Sequence, residues 1–329
     1  MTSNTIYEAK VLTKEIYKIF AGVYSDFRAN AAEDYKFELE PLAYEEFLNA
    51  VEKGLLQCIV LLENQIPTAF LAYTTIASES VELNIIHCLG DEDLVQKRKV
   101  LLEKFLDNTQ EERKEKIVCY PMIGSQGSFV TDITGYGFKL VGLAVLRFMF
   151  QNSNSESILN NMILSEKPQG YDLVDWDNNY LEEAIEIVQK AFENTSDALF
   201  DPRFKSLDGT RDILTRITNG DYGEFLPECV SVLLYEGKPC GFCFTNITGG
   251  KIANVPIFAI TPEHQGKGLS KHLLKRSIQT LLDLIKAEKR DFTEINTTTE
   301  TDNYQALKMY RHIGFKEDYC YPQAYLPIS

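Results

Sequence analysis

One β-hairpin pattern occurs twice in the chain, and this duplication limits the folds open to it. Near residue 57 the sequence reads QCIVLLENQIPTAFLAYTT, and near residue 229 it reads CVSVLLYEGKPCGFCFTN. Each is an apolar strand, a short polar turn carrying a proline, and a second apolar strand. A second pair, GYGFKLVGLAVLRF near residue 135 and HIGFKEDYCYPQAYL near residue 312, shares a Gly-Phe-Lys step into a β-rich run. The offset of roughly 170–177 residues is too long for a solenoid unit and suits a duplicated domain.

Each half opens on a helical pattern. Ile16, Ile19, Phe20 and Val23 recur at helical spacing after Thr13, which is expected to cap the helix. Leu181, Ala184, Ile185 and Val188 do the same after DWDNN. Between the halves, QNSNSESILNNMILSEKPQG (151–170) is polar and ends in Pro and Gly, so it reads as a linker with a short ordered segment. The boundary is expected near 160–168, giving mixed α/β domains over 1–160 and 168–329.

Composition excludes several function classes. Lys plus Arg number 33 against 48 Asp plus Glu, a formal charge of −15, whereas nucleic-acid binders need clustered positive charge. No apolar run approaches the ~20 residues that span a bilayer. The opening MTSNTIYEAK lacks the basic-then-apolar order of a secretion signal. The expectation is therefore a cytoplasmic protein with no nucleic-acid or membrane partner. Its seven cysteines are odd in number and sit mostly in apolar runs, which suits reduced, buried thiols. Cys240 and Cys243 form a Cys-x-x-Cys pair, but within a probable strand, where residues three apart should point to opposite faces. The four histidines (87, 264, 272, 312) show no ligand spacing with that pair, so no metal is expected.

The chemistry concentrates in IANVPIFAITPEHQGKGLSKHLLKRSIQTLLDLI. Val255–Ile260 reads as a strand, and an amphipathic helix from Ser270 would bury Leu273, Leu274, Ile278, Leu281 and Leu282. Between them lies Gln265-Gly266-Lys267-Gly268-Leu269-Ser270. A strand feeding a glycine turn that opens a helix gathers backbone N–H groups and the positive end of the helix dipole, which together cradle an anion. The spacing fits neither Gly-x-Gly-x-x-Gly nor Gly-x4-Gly-Lys-Ser/Thr. About 40 residues on come FTEINTTTE and then Asn303-Tyr-Gln-Ala306-Leu-Lys-Met-Tyr310-Arg-His-Ile-Gly314-Phe315.

In these two motifs the second half resembles the GNAT superfamily of CoA-dependent N-acetyltransferases. The family's diphosphate motif is Gln/Arg-x-x-Gly-x-Gly/Ala, matched at Gln265 and Gly268 with Ser270 as the small terminal residue. Its later motif, Asn-x-x-Ala-x-x-x-Tyr-x-x-x-Gly-Phe, is matched throughout. The resemblance implies an α/β fold of the α+β type: two tandem GNAT-like domains, each a mixed, largely antiparallel twisted sheet flanked by helices. It further implies that acetyl-CoA is the co-substrate. The turn residues Gln265, Gly266, Lys267, Gly268, Leu269 and Ser270 would hold its diphosphate, and Phe258, Ala259 and Ile260 its pantetheine arm. Asn303 would reach the same ligand, and Tyr310 would protonate the departing thiolate, as a phenol with a pKa near ~10 can.

The base is open. The family's strand glutamate aligns with Asn254, which takes no proton, leaving Glu224, Glu294, Glu300, His264 or a water chain. In the first half the turn becomes Leu94-Val-Gln-Lys-Arg-Lys99 after GDED, without glycine, and Ile133 stands where Tyr310 does. That half reads as a degenerate GNAT-like domain. The expected activity is acetyl transfer from acetyl-CoA to a primary amine in a ternary complex. The acceptor is expected to be a small molecule or peptide, and cationic given the charge. The alternatives are a non-catalytic acyl-CoA sensor or scaffold, and a tRNA-dependent aminoacyl transferase, which would lack the CoA turn.

Overall fold

The computed structural model describes residues 6–35, 40–77, 79–110, 112, 114–120, 127–150, 157, 159, 164 and 166–328. The chain forms two compact units: residues 1–142 with 321–329, and residues 143–320.

In the first unit, β1 (Tyr7–Val11), β2 (Gln57–Glu63), β3 (Ile66–Thr74) and β4 (Ser80–Cys88) pair antiparallel in that order. β5 (Lys116–Cys119) then joins β4 in parallel. Helix α1 (Tyr17–Asp34) and α2 (Tyr44–Glu52) bury Phe20, Tyr24, Phe27 and Phe47 against Val60 and Phe70. On the other core, α3 (Leu94–Thr109) and α4 (Phe129–Thr134) bury Leu101, Leu102, Phe105, Phe129 and Ile133. The expected cap at Thr13 is not one: its carbonyl accepts from Ile16 N–H, and the helix starts after Ile16 with no side-chain cap. Ile19 is 52% exposed, because the buried face follows Phe20 and Val23 instead.

The second unit repeats the plan. β7 (Tyr171–Asp175), β9 (Ser231–Tyr235), β10 (Lys238–Cys243) and β13 (Phe258–Ile260) form an antiparallel sheet. β8 (Glu224–Phe225), β11 (Asn246–Thr248) and β12 (Ile252–Asn254) pair antiparallel, and β12 lies parallel to β14 (Glu294–Glu300). Helices α5 (Leu181–Phe192), α6 (Ser196–Phe200) and α7 (Leu207–Asn219) sit over Phe242, Phe244 and Ala259. Helices α8 (Leu269–Lys286) and α9 (Tyr304–Ile313) pack in a separate core with Leu233, Cys243 and Ile260. Leu273, Leu274, Ile278 and Leu281 of α8 are fully buried, each contributing about 1.5–3 kcal/mol by leaving water.

The duplication is conformational as well as textual. The β2–β3 turn, Asn64-Gln65, and the β9–β10 turn, Glu236-Gly237, both have two residues at positive φ, the two-residue hairpin turn that matches strand twist. The final strand of each repeat, however, pairs outside its own half. Along β6 (Lys139–Met149), residues Leu143–Met149 pair with β14, whereas along β15 (Lys316–Pro327), residues Ala324–Pro327 pair with β5. The compact units therefore do not divide at 160–168. Most of the 151–170 stretch read as a linker lies outside the described residues.

Cys240 and Cys243 do not point to opposite faces. A bulge between Pro239 and Gly241 resets the alternation, and both side chains join one core. Burial pushes their thiols up to about 11 and about 12, so both stay protonated, and all seven cysteines are free. Among the described residues, no helix is long and apolar enough to cross a membrane.

Candidate active site

The site is built by a strand that changes sheets. The sequence suggests one strand over Val255–Ile260; in the structure β12 ends at Asn254 and β13 begins at Phe258, with Pro256 between them. Val255 N–H still donates to Asn296 O on β14 at 2.9 Å, but Ile257 O already accepts from Phe244 N–H on the β10 side. Proline has no N–H to continue the ladder, and the backbone reorients across it. Thr297 Oγ1 to Val255 O, at 3.2 Å, is the last tie before the two parallel strands diverge.

Beyond this point β13 pairs with β10, while Thr298–Glu300 pair with β6. Thr261 N–H donates to Cys240 O, and Ile257 O faces Phe244. Alternation then turns the main-chain groups of Ala259 toward β10 and those of Phe258 and Ile260 toward the wedge. Of the three residues expected to pair with a pantetheine arm, two thus present an edge and Ala259 does not.

The turn after β13 follows. Gln265 Nε2 donates to Ile260 O at 2.8 Å, folding the turn back on the strand end. Gly266 has φ 74°, and a Cβ there would meet nothing within 4 Å. Glycine is needed at 266 for the conformation, and the space beside it is open. Gly268, φ 76°, is the N-cap of α8; no side chain caps this helix and no acidic residue occupies its first turn. The N–H groups of Leu269 and Ser270 and the positive end of an 18-residue helix therefore remain available to an anion.

Tyr310 lies where the strands part. It is 4% exposed, packs edge-on to Phe315 at 5.3 Å, and has Thr297 as its hydrogen-bonding neighbour. Burial pushes its phenol well above the ordinary value, and the Thr297 bond only partly opposes this, so the group keeps its proton at neutral pH. Asn303 is the N-cap of α9, its Oδ1 accepting from Ala306 N–H at 3.1 Å.

The base candidates separate clearly. Asn254 donates to Asn296, which in turn donates to Glu294, and Glu294 is ion-paired with Arg147. Glu224 is paired with Arg290, and His264 is bonded to Tyr171 at the start of β7. Glu300 instead accepts from Ser196 N–H and Oγ through a single oxygen. Beside it stands Asp197, which sequence reasoning missed. Asp197 is solvent-accessible yet crowded enough that desolvation pushes its carboxyl up, helped by the Glu300 charge and opposed by a bond from Thr195. Both lie where α6 meets the end of β14, on the strand face opposite Thr297. The hydroxyl- and acid-rich run NTSD between two helical patterns was the only sequence signal for this contact.

This geometry gives the comparisons with known proteins their meaning. A family model described as acetyltransferase (GNAT) domain matches residues 227–317, which span β9 to the start of β15. The chain carries a GNAT acetyltransferase domain in its second half. Mycothiol acetyltransferase of Clavibacter sepedonicus is 28% identical over 109 residues, covering 31% of this chain and 34% of that protein. The chain thus matches about a third of the length of that curated relative. Among solved structures, a GCN5-related N-acetyltransferase from Sphaerobacter thermophilus superposes with TM-score 0.61 at 13% identity, covering 98% of this chain and 95% of that one. A tandem GNAT protein from the clavulanic acid biosynthesis pathway gives TM-score 0.58 at 11% identity, covering 98% of both chains. The whole chain therefore has the tandem GNAT fold, and the family model's match lies in its second half.

Proposed function

We propose that the second GNAT domain transfers an acetyl group from acetyl-CoA to a primary amine by direct attack in a ternary complex. The observation that carries this reading is the wedge between β13 and β14, with an uncapped helix at its mouth and a buried, protonated tyrosine at its base. Acetyl-CoA would supply the activated thioester. Gly266 to Ser270 supply N–H donors for its diphosphate, and Phe258 and Ile260 supply main-chain groups for the extended arm. Tyr310 holds the proton that the departing sulfur requires. Glu300, free of any cation among the described residues, accepts the proton that the amine loses, with Asp197 beside it favouring a cationic acceptor. The nitrogen–carbon bond forms, the carbon–sulfur bond breaks, and one proton moves at each end.

Asn254 supports a second reading, an acyl-CoA binder without turnover, because the aligned position has no proton acceptor. Thiol release from acetyl-CoA, measured against a panel of diamines, amino sugars and peptide amines, separates the two. Amine-dependent release with an acetylated product supports the transferase. Tight binding without release on any amine supports the sensor.

A further inference from the structure

The turn that follows β13 is held by a group from the opposite edge of the same sheet. Tyr171, the first residue of β7, lies 2.6 Å from His264 Nδ1 and 2.9 Å from Lys267 Nζ. An ammonium only donates, so the phenol oxygen accepts from Lys267, and the phenol proton goes to His264 Nδ1 whenever that nitrogen carries none. Lys267 also donates to Glu263 O at 3.0 Å and stands 5.6 Å from the Tyr171 ring centroid. The Tyr235 ring packs on both Tyr171, at 4.8 Å, and His264, at 4.9 Å. Gly170, φ 88°, permits this stack: a Cβ there would come within 3.2 Å of the Tyr235 ring.

We propose that Tyr171 is a positioning residue for the donor turn: its hydroxyl fixes the His264 tautomer and holds the Lys267 ammonium beside the Gly266–Gly268 cradle, ready for a diphosphate. The proposal rests on reading that turn as the acetyl-CoA diphosphate site. It also explains why His264, a candidate base by sequence, serves elsewhere. A lysine left free would lose side-chain entropy on meeting the ligand; one already held by two oxygens and a ring has lost most of it beforehand.

The test uses the full chain with Tyr171→Phe, Lys267→Met and the double variant, titrated with acetyl-CoA and assayed for turnover. Phenylalanine keeps the ring stack, and an unchanged thermal midpoint verifies the fold. Tyr171→Phe should raise Kd and KM for acetyl-CoA about tenfold while leaving kcat at saturation unchanged, the size of one well-placed charge-assisted bond. Lys267→Met should cost a similar factor, and the double variant no more than the larger single loss. Nitrogen NMR of the imidazoles should show His264 as the Nε2–H tautomer, a signature lost in Tyr171→Phe. Normal binding in the wild type with Kd unchanged in Tyr171→Phe, or strictly additive losses, overturns the positioning role. No binding by the wild type would instead overturn the reading of the turn on which the proposal rests.

Discussion

The two halves place a strand, a turn and a helix in the same order, yet the two turns give the helix N-terminus different surroundings. In the second half, Gly266 and Gly268 take positive φ, and Gly266 leaves open space before α8, which no side chain caps. In the first half α3 likewise has no side-chain cap, but its N-cap residue is Asp93, held at φ 52° with its carboxylate accepting from Tyr7, and Asp91 and Glu92 precede it. Lys97 turns inward to Leu89 O and Glu63, and Arg98 bonds Ser128 and Asp132. Lys97 and Arg98 are thus consumed by the fold, while Lys99 stays at the surface beside Glu103. Ile133, fully buried, fills the place where Tyr310 keeps a proton. A helix N-terminus alone therefore does not make a site; what matters is whether neighbouring side chains leave it open and whether the local charge is negative.

The largest expected effect comes from closing the open turn. Gly268→Val puts a β-branched residue at φ 76° and a side chain in the cradle, and acetyl-CoA binding should disappear. Asp93→Asn in the counterpart turn should leave binding unchanged; weakened binding there would break the contrast between the halves. Tyr310→Phe should come next, lowering kcat about a hundredfold with little change in acetyl-CoA affinity, as expected for loss of a general acid. An undiminished rate would return Tyr310 to a packing role like that of Ile133.

The smallest effect concerns Asp197. Its folded carboxyl titrates above its unfolded value, so folding favours the protonated form, and the stability it contributes at low pH is lost as pH rises through the folded value. Asp197→Asn should therefore raise the thermal midpoint at neutral pH while lowering kcat/KM for a cationic amine several-fold. A neutral acceptor of similar shape should be less affected; equal losses would remove the electrostatic role. The gain in midpoint should vanish below the titration of the carboxyl.

Much of this contrast is written locally. Strand and helix periods locate both hairpins, α5 and α8, and the missing glycines of the first turn already separate the halves. The break at Pro256 was missed: the apolar run Val255–Ile260 reads as one strand, although a proline within it cannot continue a ladder. The exchange of β6 and β15 was not legible. Both follow the same Gly-Phe-Lys step and carry equivalent strand patterns, so their choice of partner is a tertiary decision. The Glu300–Ser196 contact was hidden for the same reason, joining residues 104 apart through a polar loop. Tyr171 was invisible as well, because a lone tyrosine at a strand start gives no hint of the turn it meets.

The central claim is that one half of a duplicated fold holds the acyl donor and the other does not. Isothermal titration of the full chain with acetyl-CoA tests it most directly. One site per chain, absent in Gly268→Val and intact in Asp93→Asn, is the predicted result. Two sites, or none in a folded sample, would contradict it.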